Sequence, residues 1–198
     1  MDAPLIELRQ YRCQQGQRDE MMAMFEAHFR PAYEAAGARI LVSFRVAQSP
    51  DLWLWMRAFD SAAARVPVLQ AFYGSAVWAA LKADCNALLL DCREARLLRP
   101  RQGDLAALRQ AGWQGLSLSL WRPRPGQRAR HWQALQQFSA GEGWLWSDDE
   151  ADAEAMKLAQ AERPTRRGAC LCWLHERAVP AWPTGLPAPH QQLRLLPA

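Results

Sequence analysis

Between residues 5 and 13 apolar and polar side chains alternate among β-forming residues and stop at Gln14-Gln15-Gly16, the pattern of a strand that ends in a turn. From Gln17 to Ala36 the period lengthens. Met21, Met24, Phe25, His28, Phe29 and Ala32 fall on one helical stripe, Gly37 supplies a C-terminal stop, and Pro31 predicts a kink in the last turns. Residues 39–47 and 52–59 read as two antiparallel strands joined by Gln48-Ser49-Pro50-Asp51. Asp60-Ser61 can cap a second helical region, divided by Pro67, whose longer part runs from Val68 to about Asp84. Residues 87–99 give a fourth strand that ends at Pro100.

The order β-α-β-β-α-β over residues 1–100 is the ferredoxin-like arrangement, an α+β unit whose sheet carries helices on one face only. The uncovered face needs a partner. Residues 101–115 read as a linker with a short helical stretch around Leu105 to Gln110, and residues 116–198 supply the partner as a worn second copy. Strands are expected at 116–122, 143–147, 169–175 and Gln191 to Leu196, with one helix from about Arg128 to Phe138. The stretch 148–168 reads as a long polar loop, helical at most from Asp152 to Gln160. The prolines between Ala178 and Pro189 exclude a second helix.

Echoes within the chain carry this duplication. Ile6-Glu7-Leu8-Arg9-Gln10-Tyr11-Arg12, followed by Gly16-Gln17-Arg18, returns as Leu116-Ser117-Leu118-Ser119-Leu120-Trp121-Arg122, followed by Gly126-Gln127-Arg128. Leu54-Trp55-Met56-Arg57 resembles Cys172-Trp173-Leu174-His175, and Arg96-Leu97-Leu98-Arg99-Pro100 resembles Arg194-Leu195-Leu196-Pro197. The expectation is two ferredoxin-like repeats packed sheet to sheet as a pseudo-dimeric α/β barrel, able to pair again as a homodimer.

Composition changes this picture little. The chain has 198 residues, half of them apolar, which is ample for a core. Its net charge of +4 comes almost wholly from arginine, Lys82 and Lys157 being the only lysines. The arginines are scattered and form no basic stripe, so nucleic acid is not an expected partner. Five cysteines at irregular spacing are poor material for a disulfide framework. With no signal-like start and no run of about 18 apolar residues, a cytoplasmic protein without a membrane span is expected.

Glu7-Leu8-Arg9-x-Tyr11, Gly16, Phe25, Phe29, Phe44, Trp55-x-Arg57-x-Phe59, Arg65, the block Ala71-Phe72-Tyr73-Gly74-Ser75-Ala76-Val77-Trp78, and Asn86 together resemble the NIPSNAP family of the dimeric α/β-barrel superfamily. The resemblance covers residues 4–100 and weakens from 116 to 198. It implies ferredoxin-like units packed sheet to sheet and a biochemical role that is mostly unassigned.

Strand alternation sorts the candidate chemistry. If Ile6 and Leu8 lie under the helices, then Glu7, Arg9 and Tyr11 face the barrel interior, joined by Trp53, Trp55, Arg57 and Phe59, and from the second copy by Ser117, Ser119, Trp121, Trp173 and His175. The predicted site is therefore a cleft between the two sheets. There Arg9 or Arg57 binds a carboxylate or enolate oxygen of a small planar ligand, while Tyr11, Trp55 and Trp173 form an apolar wall. The competing reading has Glu7 paired with Arg9 or Arg57 inside a barrel simply filled by tryptophans.

Cys170-x-Cys172-x-x-His175 places its thiols and its imidazole on opposite faces of a strand, so no metal site is predicted. The acidic run from Asp148 to Glu154 lacks the spacing of a calcium loop. His28 reads as a core or interface histidine, His131 and His190 as exposed, and Tyr73, Trp78 and Asn86 as packing residues. No catalytic motif appears and no cofactor is predicted.

Three functions compete. The first is a small-molecule-binding or accessory protein. The second is an enzyme of the superfamily's kinds, a cofactor-independent monooxygenase, an isomerase or a haem-linked enzyme, with His175 or Glu7 as the catalytic candidates. The third is a structural or partner-binding module with a filled barrel.

Overall fold

The computed structural model describes residues 4–110, 115–147, 170–176, 179, 181–183 and 185–197. Its elements in chain order are β1 (Leu5–Cys13), α1 (Arg18–Met24), a π-helical segment (Phe25–Phe29), α2 (Arg30–Ala35), β2 (Arg39–Val46), β3 (Ser49–Phe59), α3 (Ala62–Tyr73), α4 (Ala76–Ala87) and β4 (Leu89–Gln102). The chain continues with α5 (Leu105–Gln110), β5 (Ser117–Trp121), α6 (Arg128–Ser139), β6 (Trp144–Ser147), β7 (Leu171–His175) and β8 (Gln191–Pro197). The acidic run from Asp148 to Glu154 lies outside the described residues.

The eight strands close into one antiparallel barrel in the order β1-β3-β2-β8-β5-β7-β6-β4, with β4 returning to β1. Two seams join the halves. Phe44 to Val46 of β2 pair with Leu195 to Pro197 of β8, and Arg99 to Gln102 of β4 pair with Leu145 to Ser147 of β6. Pro100 does not end β4; the strand runs on past it through a register shift at the seam, where the missing N–H is tolerated. Closure removes the open sheet edges.

Local chemistry explains most element boundaries. Ser61 accepts from the Ala64 N–H at 3.1 Å and Ser75 from the Trp78 N–H at 3.2 Å, each capping its helix. The second helical region is therefore divided at Gly74-Ser75, and Pro67 lies inside α3. The expected break at Pro67 is wrong because Ser75 provides a stronger restart signal than one proline provides a stop. In the first region the widened turn at Phe25–Phe29 directly precedes Pro31, which sits at the start of α2. The buried residues then recur every fourth position, Met21, Phe25, Phe29 and Tyr33, and His28 is turned out to solvent instead of lying on the apolar stripe.

The barrel interior is filled. Ile6, Leu8, Leu54, Met56 and Ala58 from one half meet Leu118, Leu120, Trp146, Cys172, Leu174 and Leu195 from the other in one buried cluster. Helix α5 lies against β2 and adds Leu108 to this core. Near the β1–β8 approach, Gln10 and Gln191 exchange two side-chain hydrogen bonds of 3.0 and 3.1 Å.

The strand faces are thus the reverse of those expected. Ile6 and Leu8 point into the barrel, whereas Tyr11, Trp53, Trp55 and Phe59 join Phe25, Phe29, Tyr33 and Phe72 in a separate layer beneath the helices. In the other half Trp121 and Trp173 likewise face outward, packing with Leu135 of α6 and Leu186. The predicted residues therefore do not line a cleft between the sheets; the opening between the two halves, of about 310 Å³, is lined instead by Gln10, Arg12, Leu52, Glu94, Arg122 and Gln191 among others. Hydropathy could not separate the two faces of β1, because eight of its nine residues are buried. Among the described residues no helix is long and apolar enough to cross a membrane.

Candidate functional site

The chemistry concentrates under the helices of the N-terminal half. Register places Glu7 opposite Arg57 and Arg9 opposite Trp55 on β1 and β3, all on the helix-covered face. Glu7 is fully buried and accepts from three guanidiniums: Arg9 Nη1 and Arg57 Nη2 each reach Oε1 at 2.9 Å, and Arg65 Nε of α3 reaches Oε2 at 2.7 Å. Burial alone would raise the Glu7 pKa, but the three guanidiniums prevail and hold the carboxyl far below its ordinary range. Glu7 is a fixed anion, unsuited to accept a proton from a substrate.

One carboxylate oxygen thus serves both Arg9 and Arg57. Arg57 compensates through aromatic faces, with its guanidinium carbon 4.6 Å from the Tyr33 ring centroid, 5.2 Å from Trp55 and 5.4 Å from Phe59. Arg9 Nη2 donates to the Cys92 carbonyl at 2.7 Å and to the Tyr11 hydroxyl at 3.4 Å. Arg9 Nε, Arg57 Nε and Nη1, and Trp55 Nε1 are buried without a hydrogen-bond partner among the described residues. Unpaired buried donors are costly, and these are sealed within the cluster around Glu7.

Beside them lies a partly open cavity of about 160 Å³ between the sheet and the helices. Arg9, Tyr11 and Trp55 line it from the strands, Phe25, Tyr33 and Phe72 from the helices, and Tyr73, Trp78, Cys85, Asn86 and Cys92 complete its wall. A space of this size takes about one benzene-like ring. Burial pushes the Tyr11 and Tyr33 phenols above their ordinary values and the Cys85 thiol up to about 11, so all three stay protonated near neutrality. The lining offers donors and aromatic faces to an anion.

Of the predicted site residues, Arg9, Tyr11 and Trp55 share this cavity, with Arg57 and Glu7 immediately behind it. Trp173 and His175 do not. They stack on each other at 3.8 Å on the outer face of the other half, where Ser119 Oγ lies 3.0 Å from His175 Nε2. The barrel core separates them from Arg9. Gly143, at φ +71°, passes so close to the Leu174 carbonyl that a Cβ would collide, and Trp173 Nε1 donates to the neighbouring Glu142 carbonyl at 2.9 Å.

Cys170 and Cys172 lie in the barrel core, on the face opposite His175, as strand alternation required. His190 is exposed as expected, but His131 is buried. Tyr73, Trp78 and Asn86, read from sequence as packing residues, are cavity residues. The role of Arg65 was also missed, although a buried arginine on a helix is itself a signal, since it demands a carboxylate on the sheet below.

No protein-family model matches the sequence, and no curated protein is similar to it. Solved structures are similar in fold. A proposed monooxygenase from Lactobacillus acidophilus aligns over 98% of this chain and 94% of its own, at 9% identity and a TM-score of 0.55. A proposed monooxygenase from Fusobacterium nucleatum aligns over 88% of this chain and 76% of its own, at 7% identity and a TM-score of 0.54. NIPSNAP family proteins are also similar, among them one from Agrobacterium tumefaciens at 17% identity, covering 54% of this chain and 93% of its own with a TM-score of 0.48.

Proposed function

We propose that this chain is a NIPSNAP-like protein that binds a small planar anion in the cavity beneath the helices of its N-terminal half. The observation that carries the reading is Arg9: it lines a ring-sized aromatic cavity and shares with Arg57 the only carboxylate oxygen it has among the described residues. Arg9 meets the anionic oxygen, Tyr11 donates a neutral hydrogen bond, and Trp55, Phe25 and Phe72 hold the ring.

The architecture behind this site is a tandem of ferredoxin-like units, residues 1–100 and 116–198, joined through 101–115. The same spatial strand order in both halves, β4-β1-β3-β2 and β8-β5-β7-β6, supports it. Register supports it too: Glu7↔Arg57 and Ser117↔His175 are paired at like places, which is the drift between the first two sequence echoes. On that alignment the second unit has replaced Glu7, Arg9 and Arg57 by Ser117, Ser119 and His175. Only the first unit keeps the charged site. Five free cysteines, four of them buried, suit a cytoplasmic setting.

The oxygenase, isomerase and haem readings relied on His175 or Glu7 at a pocket. His175 is across the barrel, and Glu7 is occupied by guanidiniums. Binding is therefore the stronger reading.

Calorimetric titration with benzoate and 4-hydroxybenzoate tests it. Saturable binding of one ring per chain is expected, at least tenfold weaker (about 1.4 kcal/mol) for the uncharged methyl esters and in Arg9→Gln. No saturable binding, or equal affinity for acid and ester, would overturn the reading.

A further inference from the structure

The cavity under the N-terminal helices holds a second polar pair besides Arg9 and Tyr11. Tyr33 of α2 and Tyr73, the last residue of α3, bring their hydroxyls to 3.3 Å, with Tyr33 donating. Arg9 and Tyr11 belong to β1, so the sheet supplies one polar pair to the cavity and the helices supply the other. The chain has three tyrosines, and all of them line this cavity. Phe25, Phe29 and Phe72 already provide an apolar wall for a ring. Three hydroxyls added to that wall suit a ligand that brings oxygen of its own.

Both pairs are loosely closed. Arg9 Nη2 stands 3.4 Å from the Tyr11 hydroxyl and Tyr33 3.3 Å from Tyr73, whereas bonds of these kinds usually run to about 2.9 Å and about 2.8 Å. A hydroxyl is donor and acceptor at once and turns to suit its partners, so Tyr73, receiving from Tyr33, can donate onward to an oxygen placed beside it. Tyr33 is fixed for this role, because its ring stacks on Phe72 with centroids 3.6 Å apart and burial keeps its phenol protonated. Tyr73 is only half-buried while it lines the cavity, which leaves it accessible from the open side.

Resting on the reading that Arg9 binds an anionic oxygen, we propose that the ligand is a hydroxylated aromatic acid whose ring hydroxyl is recognised by Tyr73, with Tyr33 behind it. Arg9 and Tyr11 take the carboxylate from the sheet, the Tyr33–Tyr73 pair takes the hydroxyl from the helices, and the ring lies against Trp55. A site built to bond a ligand hydroxyl discriminates against the analogue that lacks one, because its own polar groups are then left poorly paired. The unsubstituted acid is therefore the weaker ligand.

The test is calorimetric titration of the full chain with benzoate and with the ortho, meta and para hydroxybenzoates. At least one hydroxybenzoate should bind at least tenfold more tightly than benzoate. In Tyr73→Phe that ratio should fall to near one, and Tyr33→Phe, which removes the hydroxyl behind Tyr73, should lower it as well. Benzoate bound as tightly as every hydroxybenzoate, or a hydroxybenzoate preference retained in full by both variants, overturns this inference and leaves the anion site standing. No saturable binding of any of these acids would instead overturn the anion reading on which it rests.

Discussion

Glu7 shows how a single residue ties layers together: it belongs to β1, bonds its strand neighbours Arg9 and Arg57, and reaches Arg65 on α3. Because its folded-state pKa lies below that of the unfolded chain, ionised Glu7 contributes stability that is fully present above the unfolded value, about pH 4.3. That contribution is lost as pH falls toward the depressed folded value. Urea unfolding should therefore show stability declining from about pH 5 downward. Glu7→Gln removes the carboxylate shared by Arg9 and Arg57 and should cost about 3–5 kcal/mol at neutral pH, as expected when one partner of a buried ion pair is removed. The variant should also have a flatter acid limb. An unchanged acid limb in Glu7→Gln would place the pH dependence elsewhere.

At the scale of elements, β3 has two buried faces with opposite duties. Leu54 and Met56 fill the barrel, while Trp53, Trp55 and Arg57 form the floor under the helices. Substitutions on adjacent residues should therefore separate. Met56→Ala leaves a barrel cavity and should cost about 2–5 kcal/mol, with the affinity for 4-hydroxybenzoate unchanged. Trp55→Leu should weaken that affinity because it removes a ring face from the cavity. If Met56→Ala weakened binding as much as Trp55→Leu, the ligand would not be confined to the helix side. The alternation that sets these faces apart was legible in the sequence, as were the strands, α5 and α6, and the grouping of Glu7, Arg9, Tyr11, Trp55 and Arg57. The direction of the faces was not. An apolar strand face is normally assigned to the helices, but here a closed barrel supplies a second dry interior, and the helix layer takes the arginines and tryptophans. The aromatic stripe Phe25, Phe29, Tyr33 and Phe72 was the available sign, since rings on the helices pack best against rings on the sheet.

At the scale of the whole molecule, the two halves differ in what they carry but share one core. Half of the barrel interior comes from β1 to β4 and half from β5 to β8, and each seam pairs a strand of one half with a strand of the other. Neither sheet could expose its inner face to water without uncovering a row of Leu, Met and Trp side chains. The two halves of the barrel should therefore not unfold separately. Unfolding in urea is expected to be a single transition, with tryptophan fluorescence and far-ultraviolet circular dichroism coinciding. The tryptophans report both halves, since Trp53 and Trp55 lie beneath the N-terminal helices and Trp121 and Trp173 beneath α6. Leu195→Ala on β8, packed in the shared interior, should lower the midpoint seen by both probes by the same amount. Two resolved transitions, or a Leu195→Ala shift seen by only one probe, would mean that each half holds a core of its own and that the barrel merely docks them. A single transition would instead explain why the C-terminal half contributes four barrel strands with one helix among the described residues and no counterpart there to the Glu7, Arg9 and Arg57 cluster. Its inner face is indispensable to the fold that holds the cavity, and its outer face is free to carry a different chemistry.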